Sequence, residues 1–405
     1  MMFHVFVIVF LTGGVWADSS LLPDNYQKHI RPEPDGEGGG PLRVGVGWHV
    51  GRIHEVNIND MTVTMTVRVG IAWMESRMIY NGESHTGDHE KLLPLDLGFL
   101  PKIWKPDLFY LDTVDIKRFS MVEDVAGVWL MKNNTIYFSF LVKITQDCPM
   151  HFGSYPFDVQ HCTMTLTSYE YNAEELLLYW LPEGVTTSHR VHSHLPGYTL
   201  DVLPTNLTKH HWCRNCLLEP SSAATSVLRL KRHFSAYLLA VYVPSSLLVA
   251  VAWVSFFWPP EPLPGRTALV ITALLTLVST FVAARQSSPE TDYVKAIDVW
   301  FFVCLCLNVF CLFQFAVIIT LRRRQKAVTP ETGKSKSMIG GTAALVASRS
   351  AQNDAHLSRA QRWEAITELA SKILLPIIFL LFNIIYWPYF LVSTDHNHIE
   401  EDIYE

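Results

Sequence analysis

The chain has 405 residues, only 17% of them charged, and a formal net charge of -6 at pH 7. That balance, with no basic patch interleaved with aromatics, excludes a nucleic-acid partner. No nucleophile and base stand together in a way that supports catalysis, so an enzyme is also excluded.

Residues 1–17 hold an apolar run from Phe3 to Leu11, then small residues with Val15 and Ala17 suited to signal-peptidase cleavage. They predict a signal peptide, although no Lys or Arg precedes the run, and an uncleaved anchor is the alternative. Residues 18–45 are rich in Pro, Gly and acid and predict a flexible leader.

Residues 46–233 predict an extracellular antiparallel β-sandwich. From Met61 to Val69 apolar and polar residues alternate strictly, the period of a half-buried strand. The pattern returns at Ile136, Phe138, Phe140, Val142 and Ile144, and again at Cys162, Met164 and Leu166. Asn133-Asn134-Thr135 and Asn206-Leu207-Thr208 offer Asn133 and Asn206 as glycosylation acceptors. Cys148 and Cys162 bracket a stretch rich in turn-formers and aromatics, and in a secreted region they predict a disulfide. Cys213 and Cys216 are open to two readings, a short disulfide or a pair of metal ligands. The last strand pattern, Val227 to His233, enters the first apolar span without a linker.

Four charge-free stretches are each near the length a helix needs to cross a bilayer: Phe234 to Trp258, Thr267 to Ala284, Val299 to Leu321 and Ile373 to Thr394. They predict a four-helix transmembrane bundle, with helices one to three in 234–321 and the fourth in 373–394. The block 322–372 carries ten Lys or Arg against four Asp or Glu, which places it in the cytoplasm and both chain ends, including the tail 395–405, outside. Its part from Thr329 to Asn353 is expected to be irregular. Cys304, Cys306 and Cys311 lie in one apolar span and read as packed thiols.

The second span differs from the others in its hydroxyls. Steps of four and three from Ala268 give Thr272, Leu275, Ser279, Val282 and Gln286, a face with no fixed charge at membrane depth. Such a face suits a water-filled path, with Leu275 as an apolar constriction that closes by dewetting. The alternative is that the hydroxyls bond back to helix carbonyls or join helices. Arg266 and Arg285 at the two ends, with Gly265 beside the first, would form cationic rings that favour anions.

Together these residues resemble the Cys-loop superfamily of pentameric ligand-gated ion channels over about residues 45 to 394. The resemblance rests on Tyr155-Pro156-Phe157-Asp158 inside the cysteine loop, Trp73-Met74-Glu75-Ser76-Arg77-Met78, Ile103-Trp104-Lys105-Pro106-Asp107 and Val243-Pro244-Ser245. Pro264-Gly265-Arg266-Thr267 resembles the Pro-Ala-Arg-Val of the anion-selective branch and lacks the glutamate of the cation-selective one. The resemblance implies a plasma-membrane chloride channel of five like or unlike subunits, with no required cofactor and chloride as the permeant ion. It places an aromatic agonist box at Tyr110, Tyr169, Tyr171 and Trp212, between subunits, where ring faces can hold cations. It also implies coupling of that site to the pore through Tyr155, Pro156, Phe157 and Asp158 pressing on Ser287-Ser288-Pro289, with Arg232 pairing Asp158 or a nearby acid.

Two departures count against an amino-acid agonist. Gly70 stands where relatives place a carboxylate-binding arginine, with Arg68 two positions away on the same strand face, and Thr167 replaces an amine-pairing glutamate. Histidine is abundant instead, twelve of seventeen lying between His29 and His211. His85, Asp88, His89 and Glu90 form one group; His189, His192 and His194 a second; His210 and His211, just before Trp212, Cys213 and Cys216, a third. Imidazole, thiolate and carboxylate are zinc ligands, and imidazole titrates near neutrality. The metal candidates are His192, His194, His210 and His211. The chain resembles insect chloride channels gated by zinc or pH, and the expected ligand is zinc, as agonist or modulator, or pH through the proton or hydroxide. A histamine, GABA or glycine receptor is the alternative, and a non-conducting accessory subunit a further one.

Overall fold

The computed structural model describes residues 21–34, 40–78, 92–188, 195, 197–205, 208–211, 219–258, 263–328 and 343–396. The chain divides into two compact units, residues 1–150 with 159–231, and residues 151–158 with 232–405.

The first unit is built on alternation. β2 (Thr62–Met74) buries Val63, Met65, Val67 and Val69 completely and turns Thr62, Thr64, Thr66 and Arg68 the other way. Met61 falls outside this register: it lies in the preceding turn at φ 52° and is 37% exposed. Around β2 lie β1 (Leu42–Asn57), β3 (Leu93–Leu95), β5 (Thr113–Arg118), β6 (Ala126–Leu130), β7 (Thr135–Asp147) and β9 (Leu176–Thr187), in the order β3-β6-β7-β2-β1-β9 with β5 also on β7. The second sheet runs β10 (Tyr198–Pro204), β12 (Ser221–Arg232), β8 (Val159–Ser168), β4 (Leu108–Tyr110), with β11 (Thr208–His210) on β12. β2 pairs antiparallel with β1 and β7, and β8 antiparallel with β12 and β4, whereas β1 and β9 run parallel. The inward faces supply the core: Val44, Val46 and Trp48 from β1, Cys162, Met164 and Leu166 from β8, and Leu228 and Leu230 from β12. This is the expected β-sandwich with one parallel exception, which a pattern of period two cannot reveal because alternation is the same in either direction.

The expected flexible leader is corrected in part. Leu21 is buried, Tyr26 Oη donates to Glu75 Oε2 at 2.8 Å, and Arg77 donates to the Gln27 and Ile30 carbonyls. Glu75 is fully buried yet satisfied, since Arg77 Nε and Nη2 reach it at 2.6 and 2.8 Å. Its oxygens fix the segment through Tyr26, whose hydroxyl pKa rises to about 12 through burial, opposed by the Trp104 backbone amide and then assisted by Glu75.

Among the described residues, the second unit holds four helices long and apolar enough to cross a membrane: α1 (Ser235–Phe257), α2 (Leu263–Gln286), α3 (Ala296–Val328) and α4 (Ala343–His396). In α1 a π turn at Leu238–Tyr242 precedes Pro244, which lacks an N–H. Ser245 Oγ donates to the Val241 and Tyr242 carbonyls at 2.7 and 3.1 Å and Ser246 Oγ also to Tyr242, so the serine hydroxyls find acceptors within their own helix beside the proline. α4 corrects the expectation of an irregular segment to Asn353, because the helix already begins at Ala343. The reason is local: from Ala343 to Leu375 there is no Gly or Pro to stop it.

Candidate functional site

Four places carry the chemistry: two on the surface of the sandwich unit and two in the helical unit. The first is organised by Asp107. One carboxylate oxygen accepts from Ser168 Oγ at 2.6 Å, the other from the backbone N–H groups of Tyr169 and Glu170 at 3.0 and 2.6 Å. Three donors on one carboxylate fix the turn after β8 and with it the rings of Tyr169 and Tyr171. Tyr169 is 71% exposed and meets Phe109 edge-on at 6.0 Å between centroids. Tyr171 receives Trp104 Nε1–H at 3.3 Å, and its ring lies 5.9 Å from the Arg31 guanidinium. Tyr110 does not join them. It is 7% exposed, packs edge-on against Trp48 at 5.7 Å, and burial alone drives its hydroxyl pKa upward. The expected agonist box is corrected at this position: Phe109 stands on the same strand face as Asp107, and Tyr110 on the opposite one.

The second place is a depression lined by His49, Arg68, Gly70, Tyr137, Glu183 and Thr186, from β1, β2, β7 and β9. A Cβ at Gly70 would stand 2.8 Å from Tyr137 Oη, so a side chain there would require the end of the tyrosine to shift. Arg68 is exposed and lies 3.9 Å from the exposed Glu183, a loose pair. His49 Nδ1 lies 2.9 Å from Thr186 Oγ1, and partial burial, then the Arg68 charge, lower its pKa against the opposing pull of Glu183.

The third place is the stretch His151–Asp158 with its surroundings. Tyr155, Pro156, Phe157 and Asp158 are all buried. Arg232 clasps Asp158 with two bonds, Nε to Oδ1 at 2.7 Å and Nη2 to Oδ2 at 3.0 Å, and its guanidinium lies 4.9 Å from the Tyr155 ring. Phe157 packs among Phe234, Tyr242, Tyr386 and Trp387. The backbone then reaches α3: Ala296 N donates to Gly153 O at 2.9 Å, Ile297 N to Tyr155 O at 3.2 Å, and Phe152 N to Tyr293 Oη at 2.8 Å. These bonds run to Tyr293, Ala296 and Ile297, further along the segment that begins with Ser287-Ser288-Pro289. Ser288 and Pro289 enter through Lys295, whose buried Nζ donates to Ser288 Oγ and, at 2.7 Å, to Pro289 O, while lying 6.0 Å from the Tyr155 ring.

The fourth place is α2. Gly265, Ala268, Thr272, Leu275, Ser279 and Val282 form an exposed stripe, and Val270, Ala273, Leu277 and Ala284 are buried behind it. The hydroxyls of Thr272, Thr276, Ser279 and Thr280 donate to carbonyls four residues back, which leaves each oxygen as an acceptor toward the exposed side. Arg266 is the exception to the expected lining. It is 2% exposed and pairs with Glu368 of α4 at 3.0 Å. One residue turns a helix by about 100°, so the neighbour of an exposed Gly265 faces the bundle.

Residues 19–234 match the model of the neurotransmitter-gated ion-channel ligand binding domain, and residues 241–367 that of the neurotransmitter-gated ion-channel transmembrane region. The chain belongs to the neurotransmitter-gated ion-channel family. A curated relative is the glutamate-gated chloride channel subunit beta of Haemonchus contortus, 29% identical over 314 residues, which are 76% of this chain and 71% of that one. The family is pentameric and consists of ligand-gated ion channels rather than enzymes.

The remaining expected residues that fall within the described part of the chain are placed as follows. Cys148 and Cys162 form a disulfide. Asn133 is exposed in the turn between β6 and β7. His210 ends β11 opposite Ser221; burial lowers its pKa, the Asp112 carboxylate opposes this, and His211 adds to it. No group of three or more His, Cys, Asp or Glu placed to hold a metal occurs among the described residues. Trp212, His85, Asp88, His89, Glu90, His189, His192, His194, Asn206, Cys213 and Cys216 lie outside the described residues, as do residues 1–17. Sequence reasoning missed Phe109, Lys295 and Glu368. Strand alternation from Asp107 contained the signal for Phe109; the other two owe their roles to partners distant in the chain.

Proposed function

We propose that this chain is a subunit of a plasma-membrane chloride channel, with both termini extracellular, opened by zinc or by protons at the interface between neighbouring sandwiches. The anion reading is supported by Pro264-Gly265-Arg266-Thr267 without an adjoining glutamate, by an exposed stripe on α2 free of fixed charge, and by the name of the curated relative. Five copies, identical or mixed with other subunits, surround the stripe, and Leu275 closes it. Ligand acts by its differential affinity for the open arrangement.

The ligand reading is carried by His210. Burial holds its half-buried imidazole toward the neutral form, against the opposing Asp112 carboxylate, and neutral imidazole is the form that binds zinc; imidazole is also the side chain that protons address near neutrality. His211, His192 and His194 are the further ligands proposed, and zinc is agonist or modulator rather than a required cofactor. Gly70, without a side chain, cannot serve as the usual carboxylate-binding arginine. A small carboxylate agonist is the second reading, favoured by the exposed guanidinium of Arg68 and by the glutamate-gated relative.

Voltage clamp of the chain expressed alone, with zinc stepped from chelated buffer and then pH stepped without zinc, tests the first reading. A zinc- or pH-evoked current reversing at the chloride potential is expected. Silence to both, with a current to glutamate, would replace it by the second.

A further inference from the structure

The amino-terminal end of α2 carries a charge whose counter-charge lies on another helix. Arg266 Nη1 donates to Glu368 Oε1 at 3.0 Å, Nη2 reaches the Phe256 carbonyl only at 3.5 Å, and Nε has no acceptor among the described residues. Its hold on the bundle thus rests on one carboxylate. Gly265 and Ala268, on either side, belong to the exposed stripe, so water lies within reach of a long side chain that lost this anchor. Glu368 is itself held in place. Lys372 Nζ stands 4.0 Å away on the next turn of α4, and one turn earlier Glu364 accepts from Arg322 Nε of α3 at 2.5 Å.

We propose that Glu368 is a positioning residue of the conduction path: its carboxylate holds the Arg266 guanidinium off the exposed stripe and so sets how much positive charge the cytoplasmic mouth presents to permeating ions. The proposal rests on the channel reading above. A buried guanidinium deprived of its counter-charge is strongly disfavoured, and the nearest relief is the water-facing side of its own helix. Five such charges around one axis would raise the local anion concentration at that mouth.

The first test needs no agonist. Full-length protein in lipid nanodiscs is treated with phenylglyoxal and the arginine adducts are read by mass spectrometry, with exposed Arg285 as the internal standard. Wild-type Arg266 is expected to stay protected, Glu368→Gln to raise its adduct severalfold, and Glu368→Asp, with the charge one methylene short, to give an intermediate yield. The second test records single channels opened by a Leu275→Ser background. Glu368→Gln is expected to raise anion efflux conductance by about twofold, and the double variant Arg266→Gln/Glu368→Gln to restore the parental rectification, which general damage to the bundle would not do. Protection unchanged in Glu368→Gln, or in Glu368→Asp where the former does not assemble, overturns the proposal, as does an altered conductance that persists in the double variant. A pore reversing with sodium would overturn the chloride reading alone: the adduct result would stand, and the released guanidinium would then lower conductance.

Discussion

Two arginine–carboxylate pairs show how differently the two units use charge. In the helical unit Arg232 and Asp158 are almost wholly buried and joined by two short bonds; on the sandwich surface Arg68 and Glu183 are 55% and 73% exposed and 3.9 Å apart. The first geometry pairs the guanidinium with both carboxylate oxygens in a site closed to solvent. The second costs little to open, since exposed pairs contribute about 0–1 kcal/mol. The charge of Arg232 and Asp158 is therefore structural, and charge in the depression of the sandwich is available to something that binds.

The largest effect that could break this contrast is loss of the buried pair. Asp158→Asn strips Arg232 of its counter-charge and should destabilise the helical unit by about 3–5 kcal/mol. Thermal unfolding of the purified protein and its surface expression both read this, and a near-native variant would show the pair to be dispensable. Next is the uncharged stripe. Leu275→Ser should give a standing current without agonist, because a hydroxyl wets the constriction; a tightly closed variant would move the gate elsewhere on α2.

On the sandwich the expected effects fall on ligand response rather than folding. Replacing His210 and His211 by Ala should shift the zinc response to higher concentration by at least about tenfold, the least that losing support for a metal site costs, while unfolding stays close to the parent. An unchanged midpoint would place the site elsewhere. Acid sharpens the point. The folded pKa of His210 lies below its unfolded value, so its contribution to stability is complete above the unfolded pKa and is lost as pH falls through the folded one. His210→Ala should thus flatten the loss of stability on the acid side of neutrality, measured by unfolding across pH. Smallest of all, Glu183→Gln should change stability by less than about 1 kcal/mol; a larger change would mean that the depression is a structural pair after all.

Much of this was legible in the chain because it is local. The alternation from Val63 to Val69 fixed a strand, the hydroxylated spacing in α2 fixed the exposed stripe, and the absence of charge fixed four spans, since each depends only on a period or a length. The Asp158–Arg232 pair was within reach of the family pattern. What the sequence left undecided depends on partners far away in the chain. Whether Arg266 lines a pore or faces α4 was settled by Glu368, 102 residues on, and whether Tyr110 or Phe109 meets Tyr169 was settled by the pairing of β4 with β8. The chain alone determined which groups are charged, aromatic or apolar and with what repeat; only the tertiary structure decided which of them are buried, because burial and pairing are set by surfaces that come together from distant segments.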